Sequence, residues 1–286
     1  MTKFHNIGIL GLGLIGGSVA LDCKRKKLAK NVIGFSRRIS TLKKAKKNKF
    51  IDAYFLDFKK GIKEIDFLVI ATPINIIENY FKIIKEINPN MLITDVASIK
   101  EKIVEKAEKI LGKNSNFVGS HPIAGSEKAG IEFSQEGLFE GKTVVVTPTN
   151  FTNKNSLNKI ACFWESLGGK VFYLSPKEHD YILGLTSHLP HFIVFSLLKT
   201  LSRLKIDRKN IFEFIGTGFK DTTRIGKSNP ELWVDIFFSN KKNLLFWIKE
   251  FEKSLYQLKN KIEENSFDKL LKDLHEIKKI REEIDE

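Results

Sequence analysis

The chain has 286 residues, 42% of them hydrophobic, enough to bury roughly three quarters of the unfolded surface, which excludes a disordered tail or a small stapled scaffold. Its two cysteines, Cys23 and Cys162, fit neither a disulfide framework nor a zinc cluster, so two domains in a reducing, cytoplasmic setting are expected. Lys+Arg 48 against Asp+Glu 34 leave +14, but the lysines are mixed with acids on helix-like stretches and accompany no nucleic-acid-reading motif, so no nucleic-acid partner is expected and the field suits a polyanionic small substrate.

No apolar run reaches the roughly 18 residues of a membrane helix. The glycine-studded stretch 7–21 ends in Asp22 and a Lys/Arg run rather than a cleavage site, so neither a signal peptide nor a membrane partner is expected. Residues 4–10 read as a buried strand running into a glycine turn, and 14–28 carry a helical pattern. Further strands are predicted over 31–36, 65–73, 91–98, 116–122, 142–148 and 170–174, with helices over 40–48, 99–111 and 155–167. IDFLVIATP (65–73) is nearly continuous in apolar residues, as a parallel strand buried on both faces should be.

This alternation ends near residue 175, after which 189–204, 208–216, 230–249 and 250–282 are helical in period. The predicted fold class is α/β: an N-terminal doubly wound sheet over 1–175, followed by an all-helical domain over 176–286. Over 244–258, Phe246, Trp247, Phe251 and Leu255 exceed what a small bundle needs. A homodimer through the helical domain is one use for them, an internal core the other.

Gly11-Leu12-Gly13-Leu14-Ile15-Gly16 follows the first strand and opens the first helix, the context in which GxGxxG grips a dinucleotide. Gly11 makes the tight turn, Gly13 admits the pyrophosphate, Gly16 lets helix and sheet pack, and the first helical amides face the phosphate charge. The sheet is then Rossmann-type. An NAD enzyme places Asp or Glu about 20 residues on, whereas the second strand here ends in Ser36, followed by Arg37 and Arg38. A carboxylate would repel a 2′-phosphate that Ser36 and Arg37 can bond, so NADP is favoured, with NAD as the alternative. Otherwise the arginines are ordinary surface cations.

Thr72, Ser98 and His121 all fall at carboxyl ends of predicted strands, where such a sheet meets its ligand. His121 is either a general base or a satisfied core histidine. In TSHLPH (186–191), Pro190 suits the first turn of a helix capped by Ser187 or His188, an arrangement fit for an anion. His188 and His191 have a metal-like spacing but no carboxylate beside them, and no metal is expected. Arg224 is a natural clamp for a carboxylate, or else a solvated side chain.

Through GLGLIGGS (11–18), TDVASIK (94–100), GSHPIAGSEKAG (119–130), HDYILGLTSHLPH (179–191) and GFKDTTRIGKSNPELW (218–233), the chain resembles the prephenate/arogenate dehydrogenase family of tyrosine biosynthesis. HPIAGSE together with SHLPH is the specific part. The resemblance implies oxidative decarboxylation of prephenate to hydroxyphenylpyruvate or of arogenate to tyrosine. A base takes the ring hydroxyl proton, hydride leaves the same carbon for the nicotinamide, and the ring carboxylate departs as CO2. It implies that His121 is the hydrogen acceptor, that Ser98 orients hydroxyl and nicotinamide, and that His191 and Arg224 bind substrate, Arg224 facing a carboxylate. Lys220, Ser126, Glu127, His188 and Trp233 match positions lining the same pocket, part of it supplied by the partner subunit of a dimer. Two departures stand out. Ser36 stands where many NAD-using relatives carry an acid, and no regulatory or mutase domain is expected after the helical domain. The competing reading is a 3-hydroxyacid- or imine-type dehydrogenase of the same two-domain plan, in which His121 has no role.

Overall fold

The computed structural model describes residues 4–125, 128, 130–204 and 208–285. In chain order the first part holds β1 (Phe4–Leu10), α1 (Leu14–Arg25), β2 (Ala29–Phe35), α2 (Ile39–Lys47), β3 (Ala53–Phe55), α3 (Phe58–Gly61) and β4 (Phe67–Ile70). It continues with α4 (Ile77–Ile87), β5 (Leu92–Asp95), α5 (Glu101–Leu111), β6 (Phe117–Pro122), β7 (Thr143–Thr147), α6 (Lys154–Ser166) and β8 (Lys170–Tyr173). One sheet results, in the order β3-β2-β1-β4-β5-β6-β7-β8. All neighbours run parallel except β6 against β7. Chain order reverses between β1 and β4, the switch point at which a doubly wound sheet leaves a crevice beyond its carboxyl edge.

The central strand explains its own sequence. Phe67 and Val69 enter one apolar layer with Val19, Ala20 and Trp164, while Leu68 and Ile70 enter the other with Phe81, Ile84 and Ile103. Alternate side chains therefore meet helices on both faces, which demands an unbroken apolar run. None of the four is more than 1% exposed, and burying such a side chain stabilises by about 1.5–3 kcal/mol. The predicted strands are present: β1 at its expected bounds, β2 beginning two residues earlier, and the rest shortened at one or both ends; β3, α3 and α4 were not predicted. Three residues of β3 are too few for a period to show, whereas α4 carries a helical stripe in Ile77, Phe81 and Ile84.

Beyond β8 come α7 (Pro176–Leu183), a π-helical turn (Gly184–His188), α8 (Leu189–Leu201), α9 (Arg208–Glu213), α10 (Thr217–Thr223) and α11 (Pro230–Ser239). Ser175 and Glu178 form a capping box that starts α7. From there the path stays helical for 26 residues to Leu201, long and apolar enough by length and composition to cross a bilayer, a run the sequence reading did not register. Its buried His179, Asp180 and His188 bond to neighbouring polar groups. The cap expected at Ser187 or His188 is absent: His188 is itself helical, no side chain caps α8, and Pro190 enters from the wide turn before it. That turn absorbs the proline without a new helix start, so the expected anion site is lost.

Trp233 and Ile236 of α11 join the apolar layer that holds α4 and α5. A compact unit accordingly runs through Asn240, although the change from strands to helices falls at residue 175. The second unit pairs α12 (Lys241–Glu263) with α13 (Phe267–Asp285). Phe246, Phe251 and Leu255 of α12 are exposed.

Candidate active site

At the start of α1 each fingerprint glycine has its own reason. Gly11 sits at φ +98°, and a Cβ there would lie 2.4 Å from the Ala71 carbonyl oxygen. A Cβ on Gly16 would lie 1.9 Å from the Gly11 oxygen. On Gly13 it would meet nothing within 4 Å: the helix start opens onto space, with no side-chain cap on α1. A groove beside it is lined by Leu14, Gly125, Lys128, Glu132 and Phe133. Leu12 lies in the core and offers only its backbone, while Leu14 and Ile15 are packed on the core's edge and partly buried. Thr72 Oγ1, just beyond β4, is buried without a hydrogen-bond partner, the kind of orphan a ligand satisfies. Ser36 directly follows β2 and accepts the Arg38 amide at 3.2 Å, while Arg37 and Arg38 are exposed. These residues fit a dinucleotide. A second cavity, lined by Phe4, Asp66, Asn90, Asn116 and Lys159, opens at the opposite, amino ends of the strands and contains none of the candidate residues.

Beyond β5 and β6 lies a buried polar cluster. The Lys100 ammonium is wholly buried, bonded to Asp95 and to the Ser120 carbonyl at 2.8 Å. Asp95 also accepts the amides of Ala97 (3.0 Å) and Ser120 (3.2 Å), and Ser120 Oγ takes the indole N–H of Trp164 at 2.9 Å. His121, next along β6 and partly buried, places Nδ1 2.9 Å from His179 Nε2. His179 Nδ1 lies 2.8 Å from Asp180 Oδ1. Asp180 in turn accepts the amides of Lys100 (2.7 Å) and Glu101 (2.9 Å), tying α7 to the start of α5. Burial, with the nearby Lys100 charge, holds the His121 pKa well below the ordinary histidine value. Burial lowers His179 as well, against the pull of Asp180.

His188, fully buried, receives the Asn240 amide on Nδ1 at 3.0 Å; the same amide donates to the Asp180 carbonyl at 2.6 Å. Burial pushes the His188 pKa down to about 4. His191 donates from Nδ1 to the Ser187 carbonyl at 2.9 Å and stacks on Trp233, ring centroids 3.5 Å apart. Burial lowers its pKa too, and the Arg224 charge adds to the effect, which puts Arg224 within electrostatic reach of His191. Ser98 stands partly buried in the β5–α5 loop, and its backbone neighbours His188. Lys220 is exposed on α10, a turn before Arg224. Ser126 and Glu127 lie outside the described residues. Thus His121, Ser98, His188, His191, Trp233 and Arg224 are gathered along one chain of contacts.

Four members of the cluster, Asp95, Lys100, His179 and Asp180, went unassigned in the sequence. The available signal was proximity: Asp95 and Lys100 flank Ser98 within TDVASIK, and the His-Asp pair opens HDYILGLTSHLPH.

The depressed histidines make acid sensitivity a property of the folded unit. Between pH 6.5 and about 4 the unfolded chain binds a proton at position 188 that the folded chain refuses. The unfolded state then holds more protons, so stability rises with pH and is lost as pH falls through that window, by about 3 kcal/mol for this group. His121 and His179 shift in the same direction. Urea midpoints should drop between about pH 7 and about pH 5; a constant midpoint would contradict the burial of these rings.

Residues 19–173 match the nucleotide-binding domain of prephenate dehydrogenase and residues 175–276 its dimerization domain. The prephenate dehydrogenase of Bacillus subtilis is 34% identical, covering 91% of this chain and 71% of its own. The crystal structure of prephenate dehydrogenase from A. aeolicus, in complex with hydroxyphenyl propionate and NAD+, is 39% identical with a TM-score of 0.93, covering 98% of each chain. The arogenate dehydrogenase of Synechocystis is 31% identical with a TM-score of 0.83, covering 97% of this chain and 99% of its own. With both halves of the chain matched in order and the histidine cluster set at the carboxyl edge of the sheet, the chain belongs to the prephenate/arogenate dehydrogenase family of oxidoreductases.

Proposed function

We propose that this protein oxidatively decarboxylates prephenate or arogenate with a nicotinamide dinucleotide, as a step of tyrosine biosynthesis. The observation that carries the reading is His121, neutral and hydrogen-bonded at a strand end that shares its sheet edge with the glycine cradle. Residues 11–16, Ser36 and Thr72 hold the cofactor. Bound there, its oxidised nicotinamide supplies the acceptor for hydride from the carbon bearing the ring hydroxyl. The His121 imidazole takes the hydroxyl proton, a contribution of about 10²–10⁴ in rate for a positioned base. The carbon–carbon bond to the ring carboxylate breaks, CO2 leaves, and the electron pair makes the ring an aromatic phenolate. His121 then returns its proton to that oxygen, so no net proton is released. A ring held below its ordinary pKa is a weak base in the free protein, and the negative charges of the substrate favour its protonated form on binding.

Ser98 orients the hydroxyl in this scheme, and Arg224 beside His191 meets a substrate carboxylate by the paired geometry arginine favours. Lys220, His188 and Trp233 complete the pocket, and Ser126 and Glu127 are assigned to it by sequence match. A homodimer through the helical part is supported by the matched dimerization domain and by exposed Phe214, Val234 and Phe238.

NADP is the cofactor we favour, because Ser36 and the exposed Arg37 stand at the end of β2 where a carboxylate would repel a 2′-phosphate. Replacing Arg37 by alanine is expected to weaken NADP about tenfold and NAD less than about twofold, read by fluorescence titration of the reduced cofactors. Equal losses would remove Arg37 from the 2′-phosphate. The function itself is tested by a two-by-two assay of prephenate or arogenate with NAD or NADP, following reduced nicotinamide. Turnover in any combination supports the reaction. Silence in all four from folded protein that binds NADPH would favour the hydroxyacid- or imine-type reading.

A further inference from the structure

We infer that His179, backed by Asp180, is the positioning residue that fixes the proton inventory of His121, so that only one ring nitrogen of His121 is basic. The inference rests on the decarboxylation reading above and adds to it a residue with no contact to the reacting atoms.

The argument runs inward from the carboxylate. Asp180 accepts two backbone amides, Lys100 on Oδ1 and Glu101 on Oδ2, and a carboxylate has no hydrogen to give. His179 Nδ1, 2.8 Å from Asp180 Oδ1, must therefore carry the hydrogen. A neutral imidazole has one donor and one acceptor nitrogen, and the lowered pKa keeps His179 neutral. Its Nε2 is thus a lone pair, and the atom 2.9 Å away, His121 Nδ1, must be the donor. That leaves the lone pair of His121 on Nε2, across the ring from the buried contact. Proton transfer from the substrate hydroxyl to Nε2 makes an imidazolium whose Nδ1–H already points at His179. Because the proton returns to the phenolate, the chain His121–His179–Asp180 need not pass it to solvent; it orients the ring and spreads its transient charge toward a fixed carboxylate.

Among the described residues, the charged and titratable groups around His121 are His179 and Asp180 from α7, Lys100 and Asp95 from the β5–α5 junction, and His188 from the π turn. Among these, only His179 bonds the ring directly within the described residues.

The test is made on the full-length protein with the substrate and cofactor it turns over best. His179→Leu should lower kcat on the order of 10²-fold, with substrate KM and cofactor Kd within about threefold, since the side chain at position 179 is wholly buried. His179→Gln restores an acceptor at the reach of Nε2 and should recover most of kcat. Its neutral amide supports the imidazolium less well than a carboxylate-backed ring. The acidic limb of its pH–rate profile should therefore move to lower pH by on the order of one unit. A folded His179→Leu with parental kcat overturns the inference, as does a Gln variant no more active than Leu. If the Leu variant does not fold, an unshifted acidic limb in His179→Gln overturns it. Parental protein silent on both substrates defeats the functional reading instead; active parent with unaffected variants defeats this inference alone.

Discussion

Replacing His121 by asparagine should lower kcat by about 10²–10⁴-fold while cofactor affinity stays within about twofold. Asparagine is the informative choice because its amide nitrogen occupies the place of Nδ1. The bond to His179 at 2.9 Å can then persist, and the cluster behind it stays satisfied. Lost is Nε2, the atom that faces away from the cluster. No neighbour can substitute: His179 is wholly buried and engaged on both nitrogens. His188 accepts the Asn240 amide on Nδ1, which leaves its hydrogen on Nε2, and it protonates only near pH 4. Steady-state kinetics, a cofactor titration and a thermal melt on the same preparation separate the cases. A kcat within tenfold of the parent, in a protein that melts normally, would take His121 out of the reaction.

His121 was legible in the sequence for a local reason. It stands one residue before the end of a short strand, and the carboxyl ends of strands in a doubly wound sheet point at the ligand. The glycines were legible in the same way, since each answers to a backbone contact inside one βαβ unit. What surrounds His121 was not legible, because its partners come from far along the chain. His179 is 58 residues away, and Asn240, which fixes His188, is 52 residues from it. The wide turn before Pro190 illustrates the limit. A proline after a polar residue reads as a helix start, yet here the path arrives already helical, and burial of His188 against Asn240, unseen in a local window, accompanies the turn. Lys100 misleads most: a lysine in a basic chain reads as solvated, but this one has no exposed surface.

Lys100→Met should therefore cost about 3–5 kcal/mol of stability, the penalty for stranding one member of a buried ion pair. Methionine fills much of the volume of the lysine stem, so the loss reports charge rather than a cavity. Burial alone pushes the Lys100 pKa down, and the Asp95 carboxylate opposes that shift; the pair is held in place by mutual need. Without the ammonium, Asp95 keeps only the amides of Ala97 and Ser120, and the Ser120 carbonyl loses its 2.8 Å donor. Those groups set the spacing between the ends of β5 and β6, where Ser98 and His121 stand, so turnover should fall together with stability. A double-mutant cycle separates charge from shape. If the stranded carboxylate is the cause, Asp95→Asn combined with Lys100→Met should be more stable than the sum of the two single losses predicts, with a coupling near the upper end of the 0.5–3 kcal/mol range that direct contacts show. Urea unfolding of the parent, both single variants and the double variant supplies all four corners. Strict additivity would mean that Asp95 does not depend on Lys100, and that the cluster under His121 is held by its backbone amides alone.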